Sequence, residues 1–129
     1  MKILIIDDEK EATDRLADYI RSLDYSVLVA YDGLDGYKLY KEMAPELVIL
    51  DLNLPIMDGL DILKRIRKED KETQVVILSA HSEKEWIEEA MANRVSKYMI
   101  KPIKRGNLKD MLKKLENQIK KVRYEKKIA

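Results

Sequence analysis

Four short apolar runs punctuate the chain, at Ile3–Ile6, Val27–Ala30, Leu47–Leu50 and Val75–Leu78, with a weaker fifth at Tyr98–Ile100. Each is rich in β-branched or bulky aliphatic residues and too short for a helix. Apolar character that continues without alternation is what strands buried on both faces require. The segments between the runs carry helical spacing instead. Ala12, Leu16, Tyr19, Ile20 and Leu23 mark a first helix, and Leu34, Tyr37, Leu39, Tyr40 and Met43 a second. Leu60, Leu63, Ile66 and Arg67 mark a third, Ile87, Ala90 and Met91 a fourth, and Leu108, Met111, Leu112, Leu115 and Ile119 a fifth. Strand and helix thus alternate five times, which predicts a doubly wound (βα)5 domain with a parallel sheet and right-handed crossovers. No repeat, low-complexity segment or linker interrupts the pattern.

The last helix is expected to run from Lys104 to Val122, about 28 Å at 1.5 Å per residue. A strand spans only ~17–20 Å, so its final turns should overhang the sheet. Leu108, Leu112, Leu115, Ile119 and Val122 keep a heptad-like spacing, but for only about two heptads, too few for a coiled coil. The expected division is a domain over 1–121 and a charged extension over 122–129, read either as a linker to an output domain or as a frayed terminus.

Composition narrows the function classes. With 129 residues the chain fits one domain able to bury its own core. It has no cysteine, which excludes a disulfide scaffold, a thiol nucleophile and thiolate zinc sites, and suits a reducing compartment. The longest apolar run, Val27–Tyr31, is far short of the ~20 residues of a membrane span. No secretory signal pattern opens the chain, and cytoplasm is the expected setting. Charge is uneven. Residues 1–103 hold 15 Lys and Arg against 21 Asp and Glu, a net of −6, whereas 104–129 hold 10 against 3, a net of +7. No aromatic platform accompanies the lysines, so a solvated helix face is preferred to direct nucleic-acid binding.

In open α/β sheets ligands sit beyond the carboxyl ends of the strands. The residues found there are Asp7, Asp8 and Glu9 after the first run, Asp51 after the third, Ser79 after the fourth, and Lys101-Pro102 after the fifth. Three carboxylates converging on one spot repel by roughly 3 kcal/mol per pair at 5 Å and an effective dielectric near 20, so a hard divalent cation is expected to neutralise them. Oxygen donors without His or Cys point to Mg²⁺. A lysine aimed at the same place pairs with an anion that shares the cation, and a hydroxyl donates to it. Carboxylate, Mg²⁺, hydroxyl and lysine together describe a phosphoryl group and its neutralising shell. Gly33, Gly36, Gly59 and Gly106 form neither a P-loop nor a dinucleotide fingerprint, so an aspartate nucleophile giving an acyl phosphate fits better than a bound nucleotide. Taken singly, Asp8 reads as a cap for a helix starting near Lys10, Ser79 as a strand-end hydroxyl and Lys101-Pro102 as a turn; only their joint spacing favours a site.

These residues resemble the receiver domain of two-component response regulators, the CheY-like group: Asp7-Asp8, then Asp51 within D-x-x-x-P-x-M-D-G, then Ser79-Ala80, then Tyr98-Met99-Ile100-Lys101-Pro102. The resemblance runs from Met1 to about Gln118. It implies a flavodoxin-like sheet of order 2-1-3-4-5. Asp51 would be the phosphoacceptor, charged by a sensor histidine kinase or a phosphotransfer protein. Asp8 would ligate Mg²⁺ directly, Asp7 largely through water, and Asn53 through its backbone carbonyl. Ser79 would hydrogen-bond the phosphoryl group, Lys101 would pair with it, and Tyr98 would be an aromatic switch that turns inward. The Lys101–Pro102 bond would be cis. The output surface would comprise Ser82–Asn93, Lys97–Ile100 and Lys104–Leu115, for an output domain, a partner protein or a second copy of the chain. Any self-catalysed phosphorylation or dephosphorylation would be weak.

Some positions depart from the family pattern. Arg94-Val95 stands where Gly-Ala is common, so Arg94 is expected to hold an ordinary backbone conformation, and Val95 bears on the Tyr98 rotamer. Leu54 replaces a common Met, a swap that conserves volume. His81 falls at a position that tunes phosphoryl lifetime, or is an exposed loop histidine. Trp86 is expected to pack on its own helix or to anchor a partner. The competing reading is a Mg²⁺-dependent phosphohydrolase. That class usually carries a second aspartate where Asn53 stands, and the short loops leave no substrate cap.

Overall fold

The computed structural model describes residues 1–129. Its elements alternate without exception: β1 (Lys2–Ile6), α1 (Lys10–Ser22), β2 (Ser26–Ala30), α2 (Gly33–Met43), β3 (Leu47–Leu50), α3 (Gly59–Glu69), β4 (Gln74–Ser79), α4 (Lys84–Ala92), β5 (Lys97–Ile100) and α5 (Arg105–Ile128). All neighbouring strands pair parallel, in the order β2-β1-β3-β4-β5. The expected (βα)5 arrangement is the observed one.

The unbroken apolar runs are explained by how alternate residues divide between two cores. Leu4, Ile6, Val48, Leu50, Val75 and Ile77 face one layer with Tyr40 of α2, Leu63 and Ile66 of α3, and Ala90 of α4. Ile3, Ile5, Leu47, Ile49, Val76 and Leu78 face the other, with Ala17 and Ile20 of α1 and Leu108, Met111, Leu112 and Leu115 of α5. A side-chain period of two, applied to strands covered on both faces, confines the polar residues of β1 and β4, such as Lys2, Gln74 and Ser79, to the strand ends.

Three local outcomes differ from expectation. Asp8 does not cap α1; Glu9 occupies the cap position, with no side-chain cap hydrogen bond, and Asp7 accepts the Glu9 N–H instead. The last helix continues to Ile128 rather than stopping near Val122. Nothing between Asn107 and Ile128 breaks a helix, and two ion pairs tie the overhang to the body, Arg123 to Glu46 at 2.6 Å and Lys126 to Glu72 at 2.5 Å. Arg94 takes φ +60°, in the left-handed region, where an ordinary conformation was expected. The turn after α4 keeps a shape suited to glycine although the residue is arginine. No helix is long and apolar enough to cross a membrane.

Candidate functional site

Backbone hydrogen bonds carry the ladder one residue past the strands and so place the polar side chains. The Asp7 N–H donates to the Ala30 carbonyl, the Asp51 N–H to the Ile6 carbonyl, and the Lys101 N–H to the Ser79 carbonyl. Asp7, Asp51, Ser79 and Lys101 therefore emerge side by side at one rim, fixed by the same register that sets the sheet. The Lys101–Pro102 peptide bond is cis. Gly59 closes the floor. A Cβ there would stand 2.2 Å from the Asp51 carbonyl oxygen and 2.5 Å from the Leu52 Cα, so only glycine lets α3 start this close to the Asp51 backbone.

Burial sorts the acids. Asp7 and Asp51 are 6% and 4% exposed, Ser79 is fully buried, and Asp8 lies open to solvent. Carboxylate oxygens of Asp7, Asp8 and Asp51 all lie within 4.8 Å of one another. The Lys101 ammonium bridges the two buried acids, 2.7 Å from Asp7 Oδ2 and 3.0 Å from Asp51 Oδ2. Asp51 Oδ1 accepts the Asn53 N–H at 3.1 Å, which holds Asn53 against the acid two residues before it. Asp7 Oδ1 accepts the Glu9 N–H at 3.1 Å.

The electrostatics follow from that packing. Burial raises the Asp7 pKa above its ordinary value, partly offset by the Lys101 hydrogen bond and the Glu9 N–H. Burial opposes the charge of Lys101, but hydrogen bonds to Asp7 and Asp51 outweigh it and push the ammonium further up. One lysine thus faces more negative charge than it can neutralise. The donor set, hard carboxylate oxygens with no His or Cys among them, suits a divalent cation such as Mg²⁺.

The sequence reading did not assign Glu9 a role. Its carboxylate stands 3.5 Å from the Lys101 ammonium as a third, looser partner. The run of three acids Asp7-Asp8-Glu9 was the available signal.

The fourth strand's end connects to α4 through His81. The His81 N–H donates to Ser79 Oγ at 3.2 Å, and the Tyr98 hydroxyl donates to the His81 carbonyl at 2.7 Å. The His81 imidazole stacks on Trp86, with ring centroids 4.4 Å apart and planes 11° from parallel. His81 is thus half-buried rather than a free loop histidine, and Trp86 packs on it and against the core. Burial raises the Tyr98 phenol above its ordinary value, and the neighbouring Ser79 hydroxyl offsets this only in part.

Comparisons of sequence and of fold with known proteins point to one family. The profile of the response regulator receiver domain matches residues 3–113. A chemotaxis protein CheY of Treponema pallidum is 33% identical over 122 residues, covering 92% of this chain and 83% of that protein. A probable C4-dicarboxylate response regulator DctR of Bacillus subtilis is 33% identical over 123 residues, covering 94% of this chain but only 54% of the longer protein. Among solved structures, the signal receiver domain of a putative Luxo repressor protein from Vibrio parahaemolyticus superposes with a TM-score of 0.87, at 26% identity over 92% of both chains.

Proposed function

Because this chain belongs to the response regulator receiver domain family, a family of regulatory signalling proteins, we propose that Asp51 is its phosphoacceptor. The observation that carries the reading is the buried Asp51 carboxylate, joined to Lys101 at 3.0 Å inside a cluster with Asp7 and Asp8. The donor is a phosphohistidine, on a sensor histidine kinase or a phosphotransfer protein. An Asp51 carboxylate oxygen attacks phosphorus, and the P–N bond breaks with its electron pair left on the donor imidazole. The product is an acyl phosphate.

Asp8, Asp7, Asp51 and the Asn53 carbonyl are the residues that would hold Mg²⁺. Bound there, the ion supplies the positive charge that offsets the carboxylates and the phosphoryl oxygens. Lys101 already sits at Asp51 and needs only to shift its ammonium from carboxylate to phosphoryl oxygen. Ser79 donates its hydroxyl to a second phosphoryl oxygen. Phosphorylation adds about −1.5 to −2 of charge at this rim. As Ser79 moves toward it, the half-buried Tyr98 ring gains space to turn inward.

The response is a re-weighting of two states rather than the creation of a new one. Its output face comprises α4, β5 and the first half of α5, and serves an output domain, a partner protein or a second copy of the chain. Residues 1–121 are the receiver unit and 122–129 its charged extension. Self-catalysed turnover is weak, since the Asn53 amide beside Asp51 cannot act as general acid or base.

Intact mass after incubation with acetyl phosphate, with and without Mg²⁺, tests the reading. The expected result is a Mg²⁺-dependent gain of one phosphoryl group that Asp51→Ala abolishes. A gain that persists in the variant overturns the assignment of Asp51. Multiple-turnover hydrolysis of ordinary phosphate esters would favour the phosphohydrolase reading instead.

A further inference from the structure

The nine residues of α4 are held very unequally along their length. Ala90, in the last turn, is the one buried residue of the helix, and Val95 just beyond it is buried in the same core. The first two turns offer only the half-buried Trp86 and Ile87, and the cap residue Glu83 makes no side-chain cap hydrogen bond.

The tight end has an additional fastening from α3. The Arg67 guanidinium donates to four backbone carbonyls in two separate loops. Nε and Nη2 reach Asn93 and Arg94 at the end of α4, at 3.3 and 2.9 Å. Nη1 reaches Asp70 and Thr73 in the α3–β4 loop, at 3.1 and 2.7 Å. One planar fork thus ties the last turn of α4, including the left-handed residue Arg94, to the corner before β4. Ser96 adds its own N–H to the Val75 carbonyl at 2.7 Å. The loose end has hydrogen bonds to the body only through His81, which engages Ser79 and Tyr98 and stacks on Trp86, besides the partial packing of Trp86 against the core.

We propose that Arg67 is the fixed pivot of a hinge, so that α4 responds to the phosphoryl group by swinging its Lys84 end while its Ala92 end stays clasped to the α3–β4 loop. The trigger rests on the phosphoacceptor reading, because Ser79 and Tyr98 are the two groups that hold His81. The clasp itself is a property of the unphosphorylated fold. Rotation about a fixed end gives the output face a graded displacement, large near Trp86 and negligible near Asn93. A partner that reads the Lys84 end is therefore sensitive to phosphorylation, and one that reads the Asn93 end is not.

Paired spin labels test this, and the absence of native cysteine makes placement clean. Lys38→Cys on α2 serves as reference, paired with Glu85→Cys or with Ala92→Cys; all three side chains are exposed. With Mg²⁺ and beryllofluoride, the 38–85 distance is expected to change by about 2 Å or more and the 38–92 distance by less than about 1 Å. Equal changes at both positions overturn the pivot. In Arg67→Ala without beryllofluoride, the 38–92 distribution is expected to broaden and amide exchange at Asn93 and Ser96 to rise at least about tenfold, one hydrogen bond's worth or more. Arg67→Lys, which keeps the charge and loses the fork, should behave like Arg67→Ala, and it stands in if the alanine variant does not fold. Unchanged exchange and distances in the folded variant overturn the clasp. A wild-type protein that ignores beryllofluoride at Trp86 as well as at both label pairs overturns the phosphoacceptor reading, and the unliganded Arg67 comparison then decides the clasp on its own.

Discussion

The Tyr98 hydroxyl donates to the backbone carbonyl of His81 at 2.7 Å, so a side chain of β5 holds down the loop that leads from Ser79 into α4. The same His81 receives no other fastening to β5, and its imidazole stack carries the constraint on to Trp86. Tyr98→Phe removes this hydrogen bond and leaves the ring. Amide exchange over residues 82–87 is expected to rise about fivefold to tenfold, the equivalent of ~1 kcal/mol, with a change in Trp86 emission. Exchange that matches wild type there would show that the hydroxyl is not what holds the loop.

Lys101 is the only cation within reach of the buried Asp7 and Asp51. Lys101→Met leaves two desolvated carboxylates facing each other. Without metal the variant should be less stable than wild type by about 2 kcal/mol, because an uncompensated buried charge costs more than the pair contributes. Saturating Mg²⁺ should raise the variant's melting temperature more than it raises that of wild type, since the competing ammonium is gone. Equal metal-induced shifts in thermal denaturation would count against a shared site.

The alternation of strands and helices was legible because buried parallel strands leave a compositional mark that few other structures do: Leu47–Leu50 and Val75–Leu78 admit no polar residue. The site was legible for the same reason, as Asp7, Asp51, Ser79 and Lys101 interrupt or end those runs. What could not be read depended on contacts distant in sequence. Arg67 looked like one more residue of an amphipathic helix, and its partners Asn93 and Arg94 lie 26 and 27 residues away. The left-handed Arg94 was invisible because the clasp on its carbonyl is tertiary. The extent of α5 was missed because helix ends depend on weak terms, here an ion pair to the half-buried Glu46 and an exposed one to Glu72.

Gly59 meets the backbone of Asp51 and Leu52 rather than a movable side chain. Gly59→Ala is therefore expected to destabilise the fold by about 3 kcal/mol, at the high end for overpacking, since neither strand end nor helix start can yield cheaply. The strain falls on the acceptor's own peptide, so the rate of modification by acetyl phosphate should fall along with the urea midpoint. A variant with wild-type stability would mean that α3 can slide away from the strand.

The sharpest pH dependence outside the rim belongs to Asp70, which ends α3. Burial works against its charge, but the Thr73 hydroxyl, the Thr73 and Glu72 N–H groups and the Tyr40 hydroxyl all donate to the carboxylate and hold its pKa down to about 2, below the ordinary 3.8. A carboxyl whose folded pKa is depressed stabilises the fold above its unfolded value, and that contribution disappears as pH falls toward the folded value. Asp70 is only half-buried, so water screens the interaction and about 1 kcal/mol is expected at neutral pH. Asp70→Asn keeps an acceptor and loses the charge. Its stability in urea titrations should lie about 1 kcal/mol below wild type at pH 7, with the gap closing between pH 3.8 and about 2 as the wild-type carboxyl protonates. The Tyr40 phenol, raised by burial and by its bond to Asp70, should titrate closer to its ordinary value in the variant. A gap that stays constant down to the acid limit would place the effect of the substitution in packing rather than in the charge.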